Sequence, residues 1–251
     1  MTEIELLVDL HLESERQGPG SIRETLKALD CMDLPRDRML SIADIGCGSG
    51  GQTMTLAQHV NGHITAVDIF PEFLDGLNEK SRTAGLSDTI LTLKRSMDDL
   101  RFSDEQFDII WSEGAIYNIG FERGIREWRP FLKAGGYAAI SEITWITQTR
   151  PPEIEDYWKK EYPEIDTAPA KIALLEKYGY SLTGYFHLTQ ESWMENFYRP
   201  LEARFEAFLE RHRRSPAATK VVDDHRTEID LYRRYKEYYS YGFYIARKDR
   251  T

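Results

Sequence analysis

Four glycines and two acids set the chemistry this chain can do. Ser41-Ile-Ala-Asp-Ile-Gly-Cys-Gly-Ser-Gly-Gly51 runs from a short apolar stretch carrying Asp44 into Gly46, Gly48, Gly50 and Gly51. Glycines remove the Cβ atoms that keep a backbone away from a ligand. A strand, a glycine turn and a helix over residues 52–60 would therefore approach a nucleotide-like molecule closely. Asp68 follows the next apolar run, His63-Ile-Thr-Ala-Val67, at the distance expected of a carboxylate that binds a ribose. Gly46, Gly48 and Gly51 have the spacing of a dinucleotide turn, so the glycines alone do not choose the ligand. Asp44 discriminates better. It lies two residues before the first glycine, where its charge would repel a pyrophosphate.

Gly46, Gly48 and Gly50 also satisfy a second spacing. With Asp44 and Asp68 they make residues 38–145 resemble the class I S-adenosylmethionine-dependent methyltransferases, in particular the small-molecule, type 11/25-like subgroup. S-adenosylmethionine has no phosphate, and its ammonium suits a nearby acid. The resemblance implies that Gly46 and Gly48 lie against the methionine portion, and that Asp44 faces its ammonium directly or through water. It implies that Asp68 accepts hydrogen bonds from the ribose hydroxyls, and that Ile69 and Phe70 flank the adenine. Ser96-Met-Asp98 then supplies Met97 to pack on the adenine and Asp98 to accept its amino group, with Asp99 a neighbouring alternative. Phe107-Asp-Ile-Ile-Trp-Ser-Glu-Gly114 resembles the fourth motif of the family. Asp108 is structural there, and Ser112, Glu113 and Gly114 emerge beside the sulfonium. Ala115-Ile-Tyr-Asn118 continues along that edge, and Phe131-Leu-Lys-Ala-Gly-Gly136 matches the turn before the fifth strand. Gly18-Pro-Gly-Ser21, ahead of a helix, resembles a lid over the cofactor. Ser21 or Thr25 would bond the methionine carboxylate there, unless this is a plain capped helix.

These residues need a frame. Residues 1–15 have the pattern of a helix, broken by Gln17-Gly-Pro-Gly20. Ser21-Ile-Arg-Glu24 reads as a capping box, with a helix following through Ala28 and Leu29. Strands are expected near 40–45, 63–67, 89–93, 107–111 and 137–143. They alternate with helices opened by Pro71 and spanning 121–133, the latter ended by Lys133-Ala-Gly-Gly136. Such alternation predicts an α/β fold: a Rossmann-like, seven-stranded, mostly parallel sheet with helices on both faces and the ligand at the carboxyl ends of the strands. Residues 1–251 read as a single domain. It comprises an N-terminal helical lid over 1–37, a cofactor-binding core over 38–147, an inserted cap over 148–180 with further substrate-side helices over 188–236, and a final strand over 239–247. Ser181–Leu188 is a candidate sheet strand. In the family the resemblance names, the last strand inserts antiparallel between the fifth and sixth, a role that suits Tyr239-Ser-Tyr-Gly-Phe-Tyr-Ile-Ala246. Twelve of the 14 tyrosines lie beyond residue 150, enough for this tail to line an apolar acceptor pocket or to pack beneath the cap.

A chain of 251 residues can bury one large core. Its net charge of −10 argues against a nucleic-acid partner. No apolar run approaches the ~18 residues of a membrane span, and no basic-then-apolar leader is evident. Two cysteines, Cys31 and Cys47, are too few for a disulfide framework or a metal cluster, so a reducing cytoplasm is the expected compartment. Cys47 reads as a packing residue. The six histidines are scattered without ligand spacing, and only His187 is expected near the site. Arg211-His-Arg-Arg214 reads as a helix end that could hold an anion.

The implied reaction is methyl transfer from S-adenosylmethionine to a small-molecule acceptor by in-line displacement, with no metal. The protein would act mainly by alignment and exclusion of water. A base is needed only if the acceptor loses a proton, and Glu113, Tyr117 and Glu142 are the candidates. The competing readings are a nicotinamide-dependent oxidoreductase, disfavoured by Asp44 and by the lack of a Tyr-x-x-x-Lys relay, and a non-catalytic S-adenosylmethionine-binding protein. A homodimer is compatible with the chain.

Overall fold

The computed structural model describes residues 1–249. Arg250 and Thr251, the end of the single-domain expectation, lie outside the described residues. Two helices, α1 (Glu3–His11) and α2 (Ile22–Leu29), precede the sheet. The central alternation is β1 (Leu40–Ile45), α3 (Gly51–His59), β2 (Gly62–Asp68), α4 (Pro71–Thr83), β3 (Ile90–Lys94), β4 (Phe107–Glu113), α5 (Phe121–Trp128) and β5 (Leu132–Trp145). Then come α6 (Pro152–Glu161), the two-residue β6 (Asp166–Thr167), α7 (Ala168–Lys177) and β7 (Tyr180–His187). The tail holds α8 (Gln190–Trp193), a π-helical turn (Met194–Tyr198), α9 (Arg199–Glu202), α10 (Phe205–Arg211), α11 (Pro216–Tyr235) and β8 (Tyr239–Lys248).

The sheet order is β3-β2-β1-β4-β5-β8-β7, with β6 pairing to β5 off this path. β1 to β5 are parallel, and β8 inserts antiparallel between β5 and β7. This is the expected Rossmann-like arrangement of seven strands, with β6 pairing to the C-terminal end of β5 beyond the end of β4. The inner strands read as near-continuous apolar runs because both faces are covered. One face packs on α1, α2 and the tail helices through Leu6, Leu56, Trp111, Ile143, Trp193 and Val222. The other packs on α5 and α7 through Phe107, Ile110, Ile125, Trp128 and Leu175.

Three local expectations change. The helix read over 121–133 stops at Trp128, where Arg129–Phe131 tightens into a 3₁₀ turn at Pro130. Lys133–Gly136 is not a turn after a helix. It bulges within β5, where the register jumps from Phe107–Leu132 to Ile109–Tyr137. The helix expected over 190–214 is divided by the π turn at Met194–Tyr198 and by a turn at Ala203–Arg204, and it ends at Arg211. Ser21 does cap α2, accepting from the Glu24 amide at 3.2 Å. Glu24 does not return to the Ser21 amide, however. Its buried carboxylate accepts from the Ser21 and Ser192 hydroxyls and from the Thr189 amide, tying α2 to the start of α8.

Candidate functional site

The parallel strands end together. Ile45 pairs with Val67, and Asp44 lies between Ala66 and Trp111, so the turns after β1, β2 and β4 open on one side. A cavity of about 340 Å³ lies there. Its walls are the Gly46–Gly48 turn, Asp68–Phe70 after β2, Arg95–Asp98 after β3, and Glu113–Ala115 with Tyr117–Ile119 after β4. Arg16–Pro19 closes it from above. Among the described residues, no cluster of His, Cys, Asp and Glu is placed to hold a metal, and no helix is long and apolar enough to cross a membrane.

Asp68 stands where expected. Its two oxygens accept from the Gly48 amide at 2.9 Å and the Phe70 amide at 3.0 Å, so the carboxylate bridges the glycine turn and the turn after β2. Burial pushes its carboxyl above the usual range, against the pull of backbone amides. Gly46, Gly48, Ile69, Met97, Asp98, Gly114 and Tyr117 also line the cavity. Asp98 accepts from the Ser96 hydroxyl at 2.6 Å, whereas Asp99 is turned away onto Arg101, which separates the two neighbouring acids. Tyr117 is 43% exposed, its ring edge-on to Tyr162.

Asp44 is placed differently from the expectation. It is fully buried beneath the turn, outside the cavity wall, with its oxygens taken by Thr53 Oγ1 at 2.6 Å and Gln52 Nε2 at 3.3 Å. Burial pushes it up to about 7, against these hydrogen bonds. It is Gln52, held by Asp44, that reaches the wall. The α3 backbone carries Gln52 and Thr53 back over the end of β1, and their side chains intercept the acid.

Glu113 cannot serve as a free base. One oxygen accepts from Arg16 Nη1 at 2.6 Å, and the other from Thr25 Oγ1 at 2.8 Å and Trp111 Nε1 at 2.9 Å. The Arg16–Glu113 side chains are only 8% and 5% exposed. Glu113 is thus the anchor of the segment over the cavity. Ser21 is not in the wall of this cavity; its hydroxyl is committed to α2, and Thr25 is committed to Glu113 and Arg16. Glu142 is also engaged, buried against Lys171 Nζ at 3.3 Å. Asp108 has the structural role expected. Against burial, Arg38, the Ser41 amide and Lys133 hold it at about 2. His187 is exposed and away from the cavity. Arg211 and His212 both hold Asp9, pinning α1 to α10 rather than offering an anion site. Cys47 is buried, and burial pushes its thiol up, as fits a packing residue.

Sequence reasoning missed Arg16, Gln17 and Gln52. Gln17 straddles the glycine turn: its Oε1 accepts from the Ser49 amide at 2.7 Å and its Nε2 donates to the Ser49 hydroxyl at 3.0 Å. Gly48 adopts φ +53, and a Cβ there would lie 2.1 Å from Gln17 Oε1. The signal was present in a charged and an amide side chain set directly before Gly18-Pro-Gly20. None of residues 148–180 lines the cavity.

Comparison with known proteins agrees with this geometry. Residues 42–136 match the family model described as a methyltransferase domain. Phosphoethanolamine N-methyltransferase 1 of Arabidopsis thaliana is 25% identical over 164 residues, 64% of this chain and 32% of that protein. The chain thus spans about a third of the length of the first curated relatives it matches. A solved S-adenosylmethionine-dependent methyltransferase from Geobacter sulfurreducens, in complex with S-adenosyl-L-homocysteine, superposes with TM-score 0.83 at 17% identity, covering 96% of this chain and 97% of that one. The [4+2]-cyclase SpnF superposes with TM-score 0.77 at 20% identity, covering 98% and 94%. Residues 42–136 thus match a methyltransferase domain, in a chain that has the fold of the class I S-adenosylmethionine-dependent methyltransferases.

Proposed function

We propose that this protein transfers a methyl group from S-adenosylmethionine to a small-molecule acceptor and releases S-adenosylhomocysteine, working in the cytoplasm. The observation that carries this reading is Asp68, anchored to the Gly48 amide at the mouth of a cavity that ends at Gly114 and Tyr117. Bound there, S-adenosylmethionine supplies a methyl group already activated by positive sulfur. Asp68 would accept from the ribose hydroxyls. Ile69, Phe70, Met97 and Asp98 would enclose the adenine. Gly46, Gly48 and Gln52 would meet the methionine end, with Asp44 acting on it through Gln52. Arg16 and Gln17 would exclude water from above. Gly114 and Tyr117 would border the transferred methyl, where alignment rather than a base lowers the barrier. Tyr117 is the remaining side chain of the three base candidates that borders the cavity without an ionic partner.

Calorimetric titration with S-adenosylhomocysteine, alongside NADH, tests the reading. Micromolar binding of the first and none of the second is expected. Binding of NADH alone would move the protein to the oxidoreductases.

A further inference from the structure

Residues 148–180 stay out of the cavity wall, yet one buried lysine among them reaches its Tyr117 end. Lys171, on α7, is 1% exposed, a rare position for an ammonium. Its Nζ donates to Glu142 Oε1 on β5 at 3.3 Å and to the Glu164 backbone carbonyl at 2.9 Å. It also lies 4.7 Å from the centre of the Phe121 ring and 5.4 Å from that of Tyr162. One ammonium thus joins the sheet, the first residue of α5 and the segment between α6 and β6.

That segment grips the turn that carries Tyr117. The Glu164 carboxylate accepts from the Phe121 amide at 3.0 Å, the N-terminal partner for α5 that its cap residue, Gly120, has no side chain to supply. Gly120 has φ +89, and a Cβ there would lie 2.5 Å from Glu164 Oε1, so the carboxylate sits flush on the backbone. The Gly120 amide donates to the Ile116 carbonyl at 3.1 Å and the Tyr117 carbonyl at 3.3 Å, which couples the Glu164 contact to the 3₁₀ turn Ile116–Asn118. From the same segment, the Tyr162 ring meets the Tyr117 ring edge-on, with centres 6.2 Å apart.

Tyr117 is therefore supported twice from residues 162–164, once through its backbone turn and once through its ring, while 43% of its surface stays open. Lys171 holds both supports in place, through the Glu164 carbonyl and beside the Tyr162 ring. We propose that Lys171 and Glu164 are positioning residues, which hold Tyr162 and the Gly120 turn against Tyr117 and so fix the cavity wall that meets the acceptor. Neither side chain lines the cavity, and each acts through a neighbour. That this wall meets the acceptor rests on the methyltransferase reading; the support of Tyr117 does not.

Two readouts on the whole protein follow Tyr117. One is the fluorine resonance of a 3-fluorotyrosine placed at position 117. The other is the ratio of S-adenosylmethionine to S-adenosylhomocysteine affinity. Only the first ligand carries the sulfonium charge, and its attraction to an aromatic ring at a partly open site is worth about a two- to fivefold preference. Glu164→Ala should shift or broaden the resonance and lower the ratio by about two- to fivefold, with S-adenosylhomocysteine affinity unchanged. Glu164→Gln, which can still accept from the Phe121 amide, should restore both. Lys171→Met combined with Glu142→Gln removes both buried charges at similar volume, so stability should stay close to native. The Glu164 carbonyl still loses its donor, so both Tyr117 readouts should remain displaced. Native readouts in this folded double variant would make the lysine merely structural and overturn the proposal. Native readouts in Glu164→Ala would overturn it equally, whether or not the double variant folds. Absence of S-adenosylhomocysteine binding would instead refute the methyltransferase reading, and the fluorine resonance would still judge the support of Tyr117.

Discussion

The Arg16–Glu113 pair invites a double-mutant cycle. Both side chains are more than nine-tenths buried, and the contact is 2.6 Å. Glu113→Gln keeps the shape, and its oxygen can still accept from Thr25 and Trp111, but it strands the Arg16 cation. Breaking a buried pair in this way costs about 3–5 kcal/mol. In a chain of this size about 1 kcal/mol moves the melting temperature by about 2–4 °C, so a loss of about 6–20 °C is expected. Arg16→Met strands Glu113 less severely, because Thr25 and Trp111 still donate to it. The double variant removes both charges and should be more stable than the sum of the singles predicts, with a coupling of at least about 1.5 kcal/mol. Urea unfolding followed by tryptophan fluorescence measures all four proteins. Coupling within about 0.5 kcal/mol of zero would refute the claim that the pair acts as one unit. Arg16 lies in a segment without helix or strand, and it can partly relieve its isolation by lifting into water. Some of the cost should then appear as weaker S-adenosylhomocysteine binding, read by calorimetry on the same variants.

Other expectations are as direct. Asp68→Ala should weaken S-adenosylhomocysteine binding by more than about tenfold, since hydrogen bonds to a charged acceptor are worth about 1.5–3 kcal/mol; unchanged affinity in a folded variant would contradict the ribose placement. Gly48→Ala should also lower that affinity, because its Cβ meets Gln17 and its φ is strained; a titration equal to the native one would show that the Gln17 bridge is dispensable. His11 packs against His225 at 3.2 Å, and burial, helped by His225 and Arg204, lowers it to about 3. Its folded pKa lies below its unfolded one, so the unfolded chain binds the extra proton between about pH 6.5 and 3. Its contribution is complete above about pH 6.5 and is lost as pH falls through that window. Melting curves from pH 7 to 5 should therefore decline, and His11→Phe, which preserves the stack on Phe197, should flatten the decline. An equal slope in the variant would clear His11.

Much of this was legible in contiguous sequence. β1, the glycine turn and α3 follow one another, and Asp68 lies one strand later, so their meeting needs only the right-handed crossover of parallel strands. The Asp98 and Asp99 ambiguity could not be settled locally, because Arg101 decides it by taking Asp99. Asp44 looked ligand-facing because its strand position is right, yet Thr53, nine residues on, reaches it first. Glu113 looked like a base because it ends β4; its partners Arg16 and Thr25 come from nearly a hundred residues earlier, a separation no local pattern spans. The bulge at the start of β5 was hidden because Lys133-Ala-Gly-Gly136 has the composition of a helix stop.

The place of β8 bears on how the chain reaches this state. β7 is synthesised some fifty residues before the strand that must lie between it and β5. Until Tyr239–Lys248 emerges from the ribosome, β5 has an open edge and β7 has no sheet to join. The β1–β5 half can assemble during synthesis, whereas closure of the other half waits for one late, long-range strand insertion. Such non-local pairing is slow and leaves strand edges exposed meanwhile. The nascent protein is therefore most exposed to aggregation and most dependent on chaperones in the interval before β8 docks.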